Sequence, residues 1–195
     1  MNPGDVKKFI VAGGALVVLV LVSCGLTGCK TPWSKDGNQS DSSTSNTNTT
    51  EIPGLVPDPG EAGKATIPGI ITNSKGIRDD IYNYILINHQ DSEKTREALF
   101  QEARVLQNAL LDANDKVKSI NHGDEITRAG DCLRYISPQD ASKVENSFVS
   151  MFINTDARHK AFEAFDRQIG GQSFAGTPYD QRKTACTFTP DSLPN

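Results

Sequence analysis

Apolar residues recur three and four positions apart from Ser74 onward, and no stretch keeps the two-residue alternation of a half-buried strand. This pattern predicts an all-α domain. The connections between the predicted helices are short, which favours antiparallel neighbours in a small bundle of about five helices.

Two long apolar stripes predict the first two helices. Helix one is expected over about 75–88. Its stripe is Ile77, Ile81 and Ile85. Helix two is expected to begin at Asp91 or Ser92, with a stripe that continues to about Ile120. This length of about 28 residues is high for a globular helix, so a break within 112–115 is also expected.

A short third helix is predicted after a glycine. His122-Gly123 is expected to end helix two, and Asp124 then opens helix three. The apolar stripe of helix three is Ile126, Ala129, Leu133 and Ile136. Cys132 lies beside this stripe, at the edge of the face that is expected to be buried.

Local start signals predict helix four. Ser137 can cap it, and Pro138 fits the first helical position, where no amide donor is needed. A second cap at 154–156 opens helix five, and Gly170-Gly171 ends it. The residues that helix four is expected to bury are Ala141, Val144, Phe148, Met151 and Phe152. Those expected from helix five are Ala161, Phe162, Phe165 and Ile169.

Polar and proline-rich sequence flanks the predicted helices. Residues 38–50 are Asn, Gln, Ser, Thr and one Asp, and 51–73 places four prolines among glycines. Such sequence buries too little apolar surface to oppose the entropy of ordering. We therefore predict a flexible linker over 29–73, a helical domain over 74–189 and a disordered tail over 190–195.

The cysteines fall into two pairs, Cys24 with Cys29 and Cys132 with Cys186. In an exported domain the second pair is a disulfide candidate, whereas in the cytosol it would remain reduced. A bridge would close a loop of about 54 residues and hold the irregular C-terminal tail over helix three, stabilising the fold by about 4 kcal/mol. The alternative is two unpaired buried thiols.

The start of the chain has the features of an export signal. Residues 1–8 carry two lysines, and 9–22 is free of charge. Leu26-Thr27-Gly28-Cys29 follows and resembles the lipobox of bacterial lipoproteins. The resemblance implies that residues 1–28 are removed, that diacylglycerol is joined to the Cys29 thiol, and that the new amino terminus carries a palmitate-type chain. Lys30, where an aspartate would retain the protein at the inner membrane, implies the outer membrane.

Two alternatives remain for this leader. Leu21-Val22-Ser23-Cys24 fits the same pattern, so Cys24 is the alternative lipidation site. The uncharged interval 9–29 is also close to the roughly 20 residues that span a bilayer, so a single-pass inner-membrane anchor is possible.

The net charge and the sequence motifs limit the kinds of function that are expected of this chain. The formal net charge of −4 argues against a nucleic-acid partner, which needs clustered Lys and Arg. The sequence carries no metal-binding histidine spacing, nucleophile elbow or phosphate-cradling loop, so we expect neither metal nor cofactor. The nearest candidate for catalysis is His122 with Asp124 or Glu125. A helix break with an acidic cap is the simpler explanation. His89 and His159 lie elsewhere in the sequence.

Several other residues are candidates for contact with a partner. An anion-binding face could be formed by Arg128, Arg134, Arg158 and Arg167. Interleaved acids such as Asp131 and Glu163 favour a mixed, solvated surface instead. Trp33 and Tyr179 are candidate contact residues, although Trp33 could equally lie at the membrane interface. Within the linker, IPGLVP or ATIPGIIT could dock on a partner as an extended strand.

Taken together, these features predict a membrane-anchored envelope lipoprotein and not an enzyme. Its domain would face the periplasm or the cell surface and bind a macromolecular partner. That partner would be a secretion or conjugation component, the cell wall or a toxin. The alternatives are a cell-wall or lipid-acting enzyme that uses His122 and nearby acids, and a single-pass inner-membrane protein.

Overall fold

A computed structural model describes residues 52–195. This part of the chain is all-helical and contains no strand, which confirms the predicted fold class. Its α-helices are α1 (Asp79–Asn88), α2 (Glu93–Leu111), α3 (Lys116–Ile136), α4 (Ala141–Phe152) and α5 (Asp156–Ile169). Short 3-10 helices cover Gly60–Lys64, Tyr179–Ala185 and Pro190–Ser192. Between residues 52 and 195, no helix combines the length and the apolar character that crossing a membrane requires.

Residues 1–51 lie outside the described part of the chain. The predicted signal peptide, both candidate lipidation sites (Cys24 and Cys29), Trp33 and the first part of the predicted linker fall there. These predictions are therefore not tested by the structure.

Helix α2 lies at the centre of the domain. It packs against α1, α3 and α5, and α3 also packs against α4 and α5. Fully buried side chains from four of these helices and the turn before α1 fill the core: Ile77, Ile81, Ile85, Leu99, Leu133, Phe148 and Phe152. Each such side chain contributes roughly 1.5–3 kcal/mol by leaving water.

Local caps set the starts of three helices. Ser92 Oγ accepts the amide of Thr95 at 3.1 Å, and Thr155 Oγ1 accepts the amide of Arg158 at 3.3 Å. Asp115 accepts two amides at the start of α3. The predicted break within 112–115 is therefore confirmed, because each cap satisfies helix donors that would otherwise lack a partner.

The predicted break at His122-Gly123 is wrong, because α3 runs through both residues. A Cβ on Gly123 would lie only 2.3 Å from Cζ of Phe174. Glycine is needed there because the ring of Phe174 packs directly on the helix backbone. Asp124 is therefore an exposed residue in the middle of α3, and the N-terminal cap of α3 is Asp115.

Three smaller predictions also differ from the structure. Helix α1 begins at Asp79 and not at about residue 75, since the chain still turns at Gly76 with φ +70°. Helix α4 begins at Ala141 and not after Ser137, because residues 138–140 form a turn. Met151 is 39 % exposed, since it lies on the flank of the α4 stripe.

Residues 52–73, which we call the strap, lie against the helices, although the sequence places them in the flexible linker. Asn83 of α1 accepts the amide of Val56 at 3.0 Å and donates to its carbonyl at 2.8 Å. Arg158 of α5 donates to three further strap carbonyls. Composition could not reveal these partners, because they come from distant helices. The linker over 29–51 stays a prediction.

The C-terminal tail is held to the bundle by a disulfide and by an amide side chain. Cys132 and Cys186 form the predicted bridge, with a Cα–Cα distance of 4.8 Å. Cys132 is fully buried and does not lie at the edge of the buried face. Gln101 donates to the carbonyl of Ala185 at 2.9 Å and accepts the amide of Thr187 at 2.8 Å. The irregular tail is therefore anchored on α2 and α3.

The last residues pack more closely than the sequence predicts. Pro190 is buried within the final 3-10 helix, although 190–195 is expected to be disordered. Asp191 forms an ion pair with Lys183 and accepts a hydrogen bond from Tyr135 Oη at 3.4 Å. Anchoring at Cys186 holds this segment close to α3, where such contacts can form.

Candidate functional site

A groove of about 620 Å³ opens where the end of α1, the start of α2 and the α3–α4 junction meet. We call it the α1–α4 groove. Its lining includes Tyr84, His89, Thr95, Ile136, Lys143, Val144 and Ser147. The helix ends converge there because short turns follow α1 and α3. Its volume lies within the range of about 300–1,000 Å³ that is typical of ligand sites.

The α1–α4 groove combines an apolar floor with a polar rim. Tyr84, Ile136 and Val144 are half-buried and pack against the core. Exposed Asp140 and Lys143 lie on its rim. This combination is typical of a surface that binds a chain segment carrying both apolar and polar groups.

His89 gives the groove one titratable ring. It lies beside Tyr84 with the ring centroids 6.5 Å apart in an edge-to-face arrangement. Burial lowers the pKa of His89, and the nearby Arg96 guanidinium adds to this effect while Asp91 opposes it. The imidazole is therefore neutral at neutral pH and can donate or accept a hydrogen bond.

His122, the catalytic candidate from the sequence, lies away from the groove on α3. Its Nδ1 is 3.0 Å from Glu125 Oε2, as the sequence suggests, but its Nε2 is 3.0 Å from Asp112 Oδ2. Asp112, and not Asp124, is thus its second acid. Lys118 also pairs with Asp112, at 2.8 Å. Both ring nitrogens are occupied by carboxylates, so the cluster ties the α2–α3 turn to α3.

The charges of this cluster support one another. Burial lowers the pKa of His122, but hydrogen bonds with Asp112 and Glu125 outweigh burial and leave that pKa raised. The pKa of Asp112 is lowered, chiefly by its hydrogen bond with Lys118 and then by that with His122. A raised histidine pKa means that the folded state binds the proton more tightly than the unfolded state.

We therefore expect His122→Ala to lower the free energy of unfolding by up to about 1 kcal/mol at pH 5.5. The loss should be smaller at pH 8.5, because stability from a raised histidine pKa is complete below the unfolded pKa and is lost as pH rises through the folded one. Urea denaturation at both pH values measures it. His159→Ala is the matched control, since His159 pairs with Glu163 on the exposed surface of α5. An equal loss from both variants would contradict this assignment.

The four candidate arginines do not form one face. Arg158 is fully buried, and Arg134 bridges Asp131 and Glu145 at 3.2 Å each. Arg128 and Arg167 are exposed. Only Arg128 and Arg167 therefore fit the mixed, solvated surface that the sequence predicts.

A charged cluster of buried and half-buried side chains at the junction of α2, α3 and α4 is missing from the sequence-based list of sites. We call it the Glu102 cluster. Its members are Glu102, Asp131, Arg134, Glu145 and Arg182. One signal could have revealed it: Glu102 occupies a stripe position of α2, three residues after Leu99 and four before Leu106.

Tyr179 is the remaining candidate contact residue within the described part of the chain. Tyr179 is 79 % exposed, and its ring stacks with the Arg182 guanidinium at 5.3 Å. Across residues 52–195, no three His, Cys, Asp or Glu side chains are grouped so as to hold a metal ion.

The described residues thus define a disulfide-bridged helical domain with a mixed apolar and polar groove. Comparisons of the chain with protein-family models, with curated proteins and with solved structures return no match. Function is therefore inferred from the sequence and from the geometry of the groove.

Proposed function

We propose that this chain is a lipid-anchored protein of the bacterial cell envelope whose helical domain binds another envelope protein through the α1–α4 groove. The anchor would be Cys29, with Cys24 as the alternative, in the outer membrane. Two observations support the proposal: the domain contains the Cys132–Cys186 bridge, and it follows a leader that resembles those of lipoproteins. Disulfides persist in oxidising compartments outside the cytosol.

The groove is the surface that best suits such a partner. Its floor offers apolar area, and its rim carries Asp140 and Lys143 with opposite charges. Rim charges of both signs favour a partner segment whose own charges are mixed. A protein segment meets these requirements more directly than an unbranched neutral glycan, which carries no charge to match the rim.

The anchor can be tested by mass spectrometry of the mature protein from purified membranes. We expect a diacylglyceryl group and an additional acyl chain on Cys29, with residues 1–28 removed. A lipidated Cys24 would select the alternative site. A chain that retains residues 1–28 without lipid would contradict the proposal and favour a single-pass anchor.

Binding through the groove can be tested by charge reversal combined with crosslinking in cells. A photoreactive residue at Ser147 in the groove should form adducts with a protein of defined mass, and Lys143→Glu should abolish them. Lys160→Glu is the matched control, since Lys160 is also exposed but lies on α5 outside the groove. Adducts that survive Lys143→Glu, or adducts only with cell-wall glycan, would overturn the proposal for a protein partner.

A further inference from the structure

Glu102 is a buried carboxyl that no part of the proposed function uses. Its side chain lies in the core of the domain on α2, and its Oε2 atom has no hydrogen-bond partner among residues 52–195. A buried polar atom without a partner costs free energy, and an ionised one costs much more. Such a group therefore needs an explanation.

The charged groups around Glu102 come from α3, from α4 and from the C-terminal tail. Arg134 of α3 attracts its ionised form, and Glu145 of α4 repels it. Arg134 Nη2 also pairs with Glu145 at 3.2 Å, while Arg134 Nη1 pairs with Asp131 at 3.2 Å. Arg182 from the tail approaches Asp131 at 3.7 Å. The Arg134 guanidinium thus pairs with carboxylates of two helices, Asp131 of α3 and Glu145 of α4.

This arrangement joins α4 to α3 through a single ion pair that Glu102 can disturb. When Glu102 loses its proton, the new buried charge must draw Arg134 away from Glu145 or admit water to the junction. Both outcomes weaken the attachment of α4. Only three residues of α4 are buried: Ala141, Phe148 and Phe152. A helix with so few buried anchors opens at a low free-energy cost.

We propose that Glu102 is a pH-sensitive lock on α4: the protonated carboxyl keeps α4 packed on α3, and ionisation in alkaline surroundings releases α4. Helix α4 also forms one wall of the α1–α4 groove through Lys143, Val144 and Ser147. If the groove has its proposed function, the lock would therefore regulate partner binding.

The pH range follows from the environment of the carboxyl. Burial, and then repulsion by Glu145, raises the pKa of Glu102 to about 8, while Arg134 opposes the rise. Because this pKa is raised, the stabilisation is complete below the unfolded pKa of about 4.3. It is lost as pH rises through the folded pKa. The attachment of α4 should thus weaken progressively up to about pH 8.

Hydrogen exchange of the full chain, with the bridge intact, tests the lock without any partner. Between pH 6 and pH 9, the protection of residues 141–152 should fall at least about tenfold after correction for intrinsic exchange. Glu102→Gln is isosteric and cannot ionise, so its α4 should remain protected. Glu93→Gln, on the same helix at its half-buried first turn, should behave like the natural chain.

Two results would overturn the proposal. One is equal loss of protection in the natural chain and in Glu102→Gln. The other is loss of protection in all five helices together, which would indicate global unfolding. If Glu102→Gln does not fold, carbon NMR can measure the pH at which the Glu102 carboxyl titrates in the natural chain. Titration below pH 5 contradicts the lock, and titration near pH 8 supports it. Because neither measurement involves a partner, failure here is distinct from failure of the groove experiment.

Discussion

Replacing Arg158 with alanine is expected to lower the free energy of unfolding by roughly 3 kcal/mol and to release the middle of the strap, residues 63–67. Arg158 is fully buried and donates to the carbonyls of Gly63, Thr66 and Ile67 at 2.6, 3.0 and 3.2 Å. Its Nη1 also donates to Asn154 at 2.6 Å. Without the guanidinium, these carbonyls lose their donors, and residues 63–67 of the strap lose their hydrogen bonds to α5.

Urea denaturation and trypsin digestion measure the two parts of this prediction. The strap carries a trypsin site at Lys64, which should be cut faster once the strap is released. Arg158→Lys keeps the charge but lacks the planar fork, so an intermediate loss is expected. Arg167→Ala is the matched control on the exposed surface of α5. Equal stability of the Arg158 and Arg167 variants would show that the strap is held by other contacts.

Removing the disulfide is the second change with a large expected effect. Cys132→Ala combined with Cys186→Ala should lower the free energy of unfolding by about 4 kcal/mol, because the bridge closes a loop across 54 positions of the unfolded chain. The melting temperature should fall by roughly 15 °C. The tail should loosen but not detach, because Gln101 and Phe174 also hold it.

Thermal melts with and without reductant provide the control. Reductant should lower the melting temperature of the natural chain towards that of the double variant and leave the double variant unchanged. If the double variant melts within a few degrees of the natural chain, Gln101 and the packing of Phe174 carry the tail, and the bridge adds little.

Helix ends could be predicted from the sequence where a side-chain cap forms. The α2–α3 break and the caps at Ser92 and Thr155 are confirmed, since a cap and the amide it accepts lie three residues apart. The helix end predicted at Gly123 is wrong. A glycine has the same local meaning at a helix end and under a packed ring, and only the position of Phe174 distinguishes the two.

The irregular segments could not be predicted, because side-chain amides and one guanidinium on the helices satisfy their backbone groups. Asn83, Gln101 and Gln107 each bond both an amide and a carbonyl that lie outside the five α-helices. Backbone polar groups away from water need such partners. The strap and the tail therefore look flexible from composition but pack in the structure.

The candidate sites were only partly predictable. The Cys132–Cys186 bridge followed from cysteine pairing in a chain whose start resembles an export signal. Two charged residues, Glu102 and Arg158, interrupt the apolar stripes of their helices, and the sequence shows these interruptions. It does not show what either side chain contacts in the core. His122 kept one predicted partner, Glu125, and gained Asp112 across the α2–α3 turn.

By itself, the sequence determined the helical class, most helix ends and the cysteine pair of this protein. Periodicity and caps act within one or two turns and need no distant partner. Only the tertiary structure decided that the strap and tail pack, and that Glu102 and Arg158 are buried. The donors and acceptors concerned are far apart in the chain, 91 to 95 positions for the bonds between Arg158 and the strap. A stripe shows that a side chain faces the core, but it cannot show what that side chain meets there.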